Sequence, residues 1–207
     1  MSSATALLVA TRSSGKLREI RPMFAAAGLT LVSLEELELE ESEEENDLEP
    51  HATFEENALS KARYFYEVSG GIPTVADDSG LEVDALQGKP GVLSKRWAGR
   101  ADLRGAALDA ANNDALTASL RDATMMTARY VCVAAYVAVG LEITARGETA
   151  GTIVRDARGS GGFGYDPYFL SSELGRTFGE ASAQEKERVS HRGRAFRELL
   201  TRIKSGR

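Results

Sequence analysis

PTVADDSGLEVDAL, residues 73–86, sets two β-rich segments around a polar interruption: Val75 and Ala76 run into Asp77 and Asp78, then Ser79 and Gly80 precede Leu81 and Val83. Adjacent carboxylates, a serine and a glycine are poor strand formers and good turn formers, so the stretch reads as strands over 72–77 and 80–86 joined by an acidic turn. Neighbouring strand side chains face opposite sides, so Asp77 and Asp78 are expected to do different jobs. An acid pair delivered by a strand into a turn is a place where a site can be built.

Working outward, residues 6–11 (ALLVAT) form a short apolar run that suits a buried strand, and Leu17, Ile20 and Phe24 then fall at helical spacing before Gly28. Thr53 stands three residues before Glu56, a capping-box spacing, and Phe54, Ala58, Ala62 and Phe65 follow on one stripe, which predicts a helix over 53–69. An Ala- and Leu-rich pattern predicts a helix over 102–121. The segments 128–140 and 141–154 are β-rich and meet near Gly140, as an antiparallel pair would. Ser182 and Glu185 repeat the capping-box spacing ahead of a basic closing helix that carries Lys186, His191 and Arg192.

With 207 residues and 43% hydrophobic content, the chain can bury a substantial core, and a single domain over 1–207 is expected. The single cysteine, Cys132, cannot form an internal disulfide and lies in an apolar run, which favours a reducing compartment. No stretch approaches the roughly 18 apolar residues of a membrane span, so a soluble cytoplasmic protein without a membrane partner is expected. The net charge is −6, but residues 35–49 alone hold ten acids and no base, which leaves 31 − 10 = 21 acids against 25 bases elsewhere. That acidic run reads as a solvated, mobile flap or surface face.

Three segments carry chemistry. Thr11, Arg12, Ser13, Ser14, Gly15 and Lys16 lie between a strand and a helix N-terminus, where unpaired backbone N–H groups and the helix dipole attract phosphate. The loop is not a Walker A motif, since Leu17 rather than Ser or Thr follows the lysine. RGSGGFGYDPYF (158–169) surrounds Phe163 with four glycines and continues into Tyr165 and Asp166, which suits close approach of a ligand and an aromatic face for a base. The third segment holds Lys186, His191 and Arg192. Two histidines and one cysteine exclude a zinc site of the Cys and His type, so any metal would be held by oxygen, with Mg²⁺ the natural partner of phosphates.

Taken in order, ATRSSGKLREI, TFEENALSKA, ADDSGLEVDAL, PGVLSKRWAG, GSGGFGYDPYF and SHRGRAF resemble the motifs of the non-canonical purine nucleoside triphosphate pyrophosphatases, the ITP/XTP pyrophosphatase family, over about residues 7–200. The resemblance implies an α/β fold, a two-lobed single domain around a long mixed central β-sheet with flanking helices, assembled as a homodimer. It also implies Mg²⁺-dependent hydrolysis of ITP, dITP and XTP to the monophosphate and pyrophosphate. By the same resemblance Asp78 is the catalytic base and, with Glu49, a metal ligand; residues 11–16 and Lys61 bind the triphosphate; and Ser79 contacts substrate. Phe163 stacks on the base within the loop Phe163, Gly164, Tyr165 and Asp166, while Lys186, His191 and Arg192 supply base and sugar contacts, the last two as donors to the 6-keto group. The family usually has Asn where this chain has Ser13.

Three other functions compete with this one. A related pyrophosphatase could act on pyrimidine or other modified nucleotides; a non-catalytic module could bind nucleotide without cleaving it; and the basic helix expected over 186–207, in a stretch that from Arg176 on has nine bases against four acids, could bind nucleic acid. None of them accounts for an acidic turn, a glycine loop and a phosphate loop in one chain, and no nucleic-acid partner is expected.

Overall fold

The computed structural model describes residues 6–206. In chain order it contains β1 (Leu7–Val9), α1 (Ser14–Ala26), β2 (Leu31–Ser33), α2 (Phe54–Val68), β3 (Thr74–Val83), α3 (Gly105–Ser119), β4 (Thr127–Ala138), β5 (Leu141–Ile153), β6 (Phe169–Ser171), α4 (Ala183–Val189) and α5 (His191–Ser205). The strands form a six-stranded mixed sheet in the order β2-β1-β3-β4-β5-β6. β1 runs parallel to both β2 and β3, with Leu8 opposite Val32 and Thr74. Parallel neighbours need long crossovers, and α1 and α2 lie in the chain where those crossovers fall. Two residues, Val139 and Gly140, link β4 to β5, a connection short enough to make that pair antiparallel, as the sequence predicts. β6 pairs antiparallel with β5.

The chain folds into two compact units: residues up to Asp78 with Cys132–Gly147 and the segment from Arg192 on, and Ser79–Val131 with Glu148–His191. β3, β4 and β5 each contribute residues to both. The core of the first unit gathers Val9, Ile20, Phe24, Val75, Ala134, Phe196 and Leu199. Its centre is an edge-to-face contact of Phe24 on Phe196, with ring centroids 5.8 Å apart. Both rings are fully buried, and each contributes about 1.5–3 kcal/mol by leaving water. In the second unit Leu81, Val83, Leu116, Ile153, Phe169 and Phe178 pack with Tyr130.

The acidic turn expected at 77–80 is absent. β3 runs through Asp77, Asp78, Ser79 and Gly80 without a break, and only Ser79 and Glu82 of its ten residues are less than buried. Propensity loses here to position, because a strand ordered between β1 and β4 has ladder partners on both edges. Gly80 serves close approach rather than a turn. A Cβ there would stand 2.2 Å from the Gly91 carbonyl oxygen and 2.5 Å from Ser94 Oγ, and Ser94 Oγ accepts a hydrogen bond of 2.8 Å from the Leu81 N–H.

The single closing helix is also corrected. Ser190 adopts an extended conformation (φ −68°, ψ 150°), which ends α4 and starts α5, so Lys186 and the His191–Arg192 pair sit on different helices. The capping boxes fare better. Ser182 and Glu185 make both bonds of one at α4, and Thr53 caps α2 by accepting from the Glu56 N–H.

Candidate active site

The first unit holds an ion network built around β3. β1 ends in a loop whose Ser13 caps α1, with Ser13 Oγ accepting from the Lys16 N–H, and this sends Lys16 down the first turn of the helix. Lys16 Nζ lies 3.0 Å from Asp77 Oδ2, and Arg192 Nε donates to the same oxygen at 3.2 Å. Arg192 also pairs with Glu19, one helical turn beyond Lys16 on α1. Asp77 is 1% exposed and Arg192 2%. Burial alone would raise the Asp77 carboxyl pKa, but Lys16, Arg192 and Lys61 together hold it well below the usual carboxylate range.

Asp78 faces other partners, as strand alternation requires. Asn57 of α2 donates to Asp78 Oδ2 at 3.0 Å. The Asn57 amide also holds both backbone groups of His51, accepting from its N–H at 2.9 Å and donating to its carbonyl at 3.3 Å, which fixes the chain two residues after Glu49. Glu49 forms an ion pair with Lys61 of α2. Burial and then the negative charge of Glu49 push the Asp78 carboxyl above its ordinary pKa, against the pull of Lys61 and Lys16. Burial works against the Lys61 ammonium, yet Glu49, Asp77 and Asp78 keep its pKa raised. The network therefore pairs four carboxylates (Glu19, Glu49, Asp77, Asp78) with three cations (Lys16, Lys61, Arg192), and one of the acids, Asp78, is more basic than usual.

Arg12 lies apart from this network. Its guanidinium pairs with Glu45 and donates to the carbonyls of Leu39 at 2.8 Å and Glu40 at 2.9 Å. Part of the expected mobile acidic flap is thus held to the loop after β1, and Ser42 Oγ and Tyr64 Oη, 2.9 Å apart, add a second tie. Thr11 Oγ1 accepts from the Ser13 N–H, which shapes the same loop; Ser14 is exposed and Gly15 buried.

The second unit holds the glycine loop. Asp166, 2% exposed, accepts from the Phe163 N–H at 2.9 Å and pairs with Lys186 of α4. Gly162 makes room for that carboxylate: it has φ +74°, and a Cβ on it would stand 1.9 Å from Asp166 Oδ2. Lys186 Nζ is 5.0 Å from the centroid of the Phe163 ring, a cation–π contact, and 5.4 Å from that of Phe178. The His191 ring stacks on Tyr130 at 4.5 Å and 7°. Tyr165 turns its hydroxyl inward, donating to the Ser94 carbonyl at 2.7 Å, and burial followed by Asp109 pushes its pKa up. Ser79 is the first residue of this unit and half-buried.

Of the residues singled out in the sequence, Lys16, Glu49, Lys61, Asp78 and Arg192 come together with Asp77 in the first unit, and Phe163, Asp166 and Lys186 in the second. Arg192, expected to contact the base, pairs through Nε with Asp77 and through Nη1 with Glu19. Sequence reasoning missed Asn57 and Glu19. Asn57 could have been found, since it is a polar residue three positions after Phe54, on the apolar stripe of α2. Glu19 carries no comparable local signal, because its partner lies 173 residues away.

The model of the Ham1 family matches residues 7–202. A dITP/XTP pyrophosphatase of Mycolicibacterium paratuberculosis is 47% identical over 205 residues, 96% of each chain, and one of Frankia alni is 45% identical over 201 residues with the same coverage. Among solved structures, a HAM1 protein of Coxiella burnetii superposes with a TM-score of 0.81 at 33% identity, covering 97% of this chain and 98% of that one. The nucleoside-triphosphatase / dITP/XTP pyrophosphatase of Mycobacterium abscessus gives 0.69 at 43% identity, covering 94% and 98%.

Proposed function

Because the chain belongs to the Ham1 family, we propose that it hydrolyses the non-canonical purine nucleoside triphosphates dITP, ITP and XTP to the monophosphate and pyrophosphate. The observation that carries this proposal is kinship over nearly the full chain with proteins named for that activity. The chemistry of the first unit supports it. Lys16 and the N-terminus of α1 suit phosphate oxygens, and Asp78 is a buried carboxylate that Asn57 holds in place to act as a base.

In the proposed reaction a water attacks the α-phosphorus and gives its proton to the Asp78 carboxylate. The bond from that phosphorus to the bridging oxygen breaks, and pyrophosphate leaves with the electron pair. Asn57 holds the base in place through Oδ2, and Lys16 and Lys61 meet charge that grows on the departing oxygens. Lys61 also keeps Glu49 in place through their ion pair.

The residues also fit Mg²⁺. The ion typically binds through one or two carboxylates together with substrate phosphates and retained waters. Glu49 sits close enough to Asp78 to raise its pKa, a repulsion that a divalent cation relieves. Among the described residues no cluster of three or more His, Cys, Asp or Glu forms an all-protein cage. Asp78 and Glu49 would hold the ion, which when bound supplies positive charge to the phosphate oxygens.

Phe163 stacks on the base, beneath the positive charge of Lys186. Selectivity for the 6-keto group falls to His191 and Arg192 as hydrogen-bond donors, with Arg192 held in place by Asp77 and Glu19. A site that hydrogen-bonds this oxygen rejects the amino group of adenine by about 10⁴-fold, which shape alone does not reach. The enzyme works as a cytoplasmic homodimer on free nucleotides, and no described helix is long and apolar enough to cross a membrane. The test is a panel of inosine, xanthosine, guanosine and adenosine triphosphates with and without Mg²⁺, read for pyrophosphate against orthophosphate. Pyrophosphate from the inosine and xanthosine substrates, dependent on Mg²⁺, is expected. Equal rates on all four, or orthophosphate alone, would refute the assignment.

A further inference from the structure

Helix α3 carries residues to which no role has been given, and two of them grip the glycine loop. Asp109 and Asn113 are four residues apart and so share one face of α3. Asp109 Oδ2 accepts from the Gly164 N–H at 2.8 Å, and Asn113 Nδ2 donates to the Gly164 carbonyl at 3.1 Å. The two peptide groups of Gly164 are thus held from opposite ends. The peptide N–H of Phe163 is held by Asp166. Both peptide planes that flank the Phe163 Cα therefore have side-chain anchors, and those planes set the direction of its ring. The neighbouring Asn112 is engaged elsewhere, accepting from the Ala98 N–H at 2.8 Å and donating to the Lys95 carbonyl at 3.1 Å. The grip on Gly164 is therefore specific to the Asp109–Asn113 face.

We infer that Asp109 and Asn113 are positioning residues that aim Phe163 at the substrate base. The inference rests on Phe163 stacking there, as proposed above. An aromatic ring that must lie parallel to a purine at van der Waals distance gains from being fixed before binding, because an unfixed ring gives up rotamer and backbone freedom at that step. Loss of either anchor should weaken nucleotide binding and leave the chemical step, which belongs to Asp78, largely intact.

The experiment is a double-mutant cycle on KM and kcat for inosine triphosphate. From the range of base–aromatic stacking, Phe163→Ala should raise KM about 5- to 150-fold. Asp109→Ala and Asn113→Ala should each raise KM about 3- to 10-fold with kcat within about twofold, and neither should add more than about twofold once Phe163 is already alanine. Asp109→Asn keeps an acceptor oxygen for the Gly164 N–H and should return KM to within about threefold of the parent enzyme. Asn113→Ala, at a helical position that alanine favours, keeps the test available if Asp109→Ala folds poorly. A role confined to stability would lower the melting temperature and leave KM alone. That result, or KM effects of equal size with and without the Phe163 ring, would overturn the inference. If Phe163→Ala itself leaves KM unchanged, the stacking assignment fails and this inference falls with it; an effect of Phe163→Ala without one of Asp109→Ala and Asn113→Ala sinks the inference alone.

Discussion

Replacing Asp77 by asparagine keeps the shape of the side chain and removes the charge that balances two cations, buried Arg192 and half-buried Lys16. Asp77 Oδ2 lies 3.0 Å from Lys16 Nζ and 3.2 Å from Arg192 Nε. At an effective dielectric of about 20, each contact is worth about 5 kcal/mol before desolvation is counted. Most of that gross attraction offsets the cost of taking the three groups out of water. The loss on mutation is governed by what stays behind: Arg192, with a side chain 3% exposed, and Lys16, at 17%, would face each other across a neutral amide. Breaking a buried pair on one side costs about 3–5 kcal/mol, a large share of the roughly 5–15 kcal/mol of a typical domain. With a urea slope of about 2.5 kcal/mol per molar, Asp77→Asn should lower the unfolding midpoint by about 1–2 M. The assay is urea unfolding followed by far-ultraviolet circular dichroism in metal-free buffer, which separates stability from metal binding. A shift under about 0.4 M, near 1 kcal/mol, would refute the argument that Asp77 is a structural counter-ion.

Two further outcomes follow from the packing. Gly80→Ala places a methyl group 2.2 Å from the Gly91 carbonyl oxygen, so it should destabilise by about 1–3 kcal/mol or more, read as a lower melting temperature. Burial, and then the charge of Asp77, push the Cys132 thiol well above its ordinary pKa. Native protein should therefore resist alkylation at pH 8.5, where an unfolded thiol is about half ionised. The sign for stability follows: the folded state keeps this proton when the unfolded state loses it. The contribution is present in full below about pH 8.5 and falls as pH rises, by at most about 1.4 kcal/mol per unit. Cys132→Ala should flatten that alkaline limb, which pH-dependent unfolding from pH 8 to 10 would measure.

Much of this architecture is legible in local pattern. Thr53 with Glu56, Ser182 with Glu185, the α2 stripe and the hairpin at Gly140 are signals within a few residues of one another, and the helices and strands form where they point. The failures share a cause. Asp77 and Asp78 look like turn formers because their neighbours in sequence say so. Their places in a central strand depend on Lys16, 61 residues before Asp77, and Arg192, 115 residues after it, which make the buried charge tolerable. The break at Ser190 is equally hidden, since no proline or glycine marks it. For the site, the residue types were readable, but their division of labour was not. Arg12 and Arg192 both read as substrate contacts, Arg12 to the triphosphate and Arg192 to the base; in the fold one clamps the acidic segment and the other pairs with Asp77.

The central claim is that Asp78, held by Asn57, accepts the proton of the attacking water. Its most direct test is pyrophosphate release from deoxyinosine triphosphate by Asp78→Asn, with the melting temperature recorded on the same preparation. Loss of general-base action predicts a fall in kcat of about 10²- to 10⁴-fold in a protein that still folds. Turnover within a few fold of the parent enzyme would contradict it.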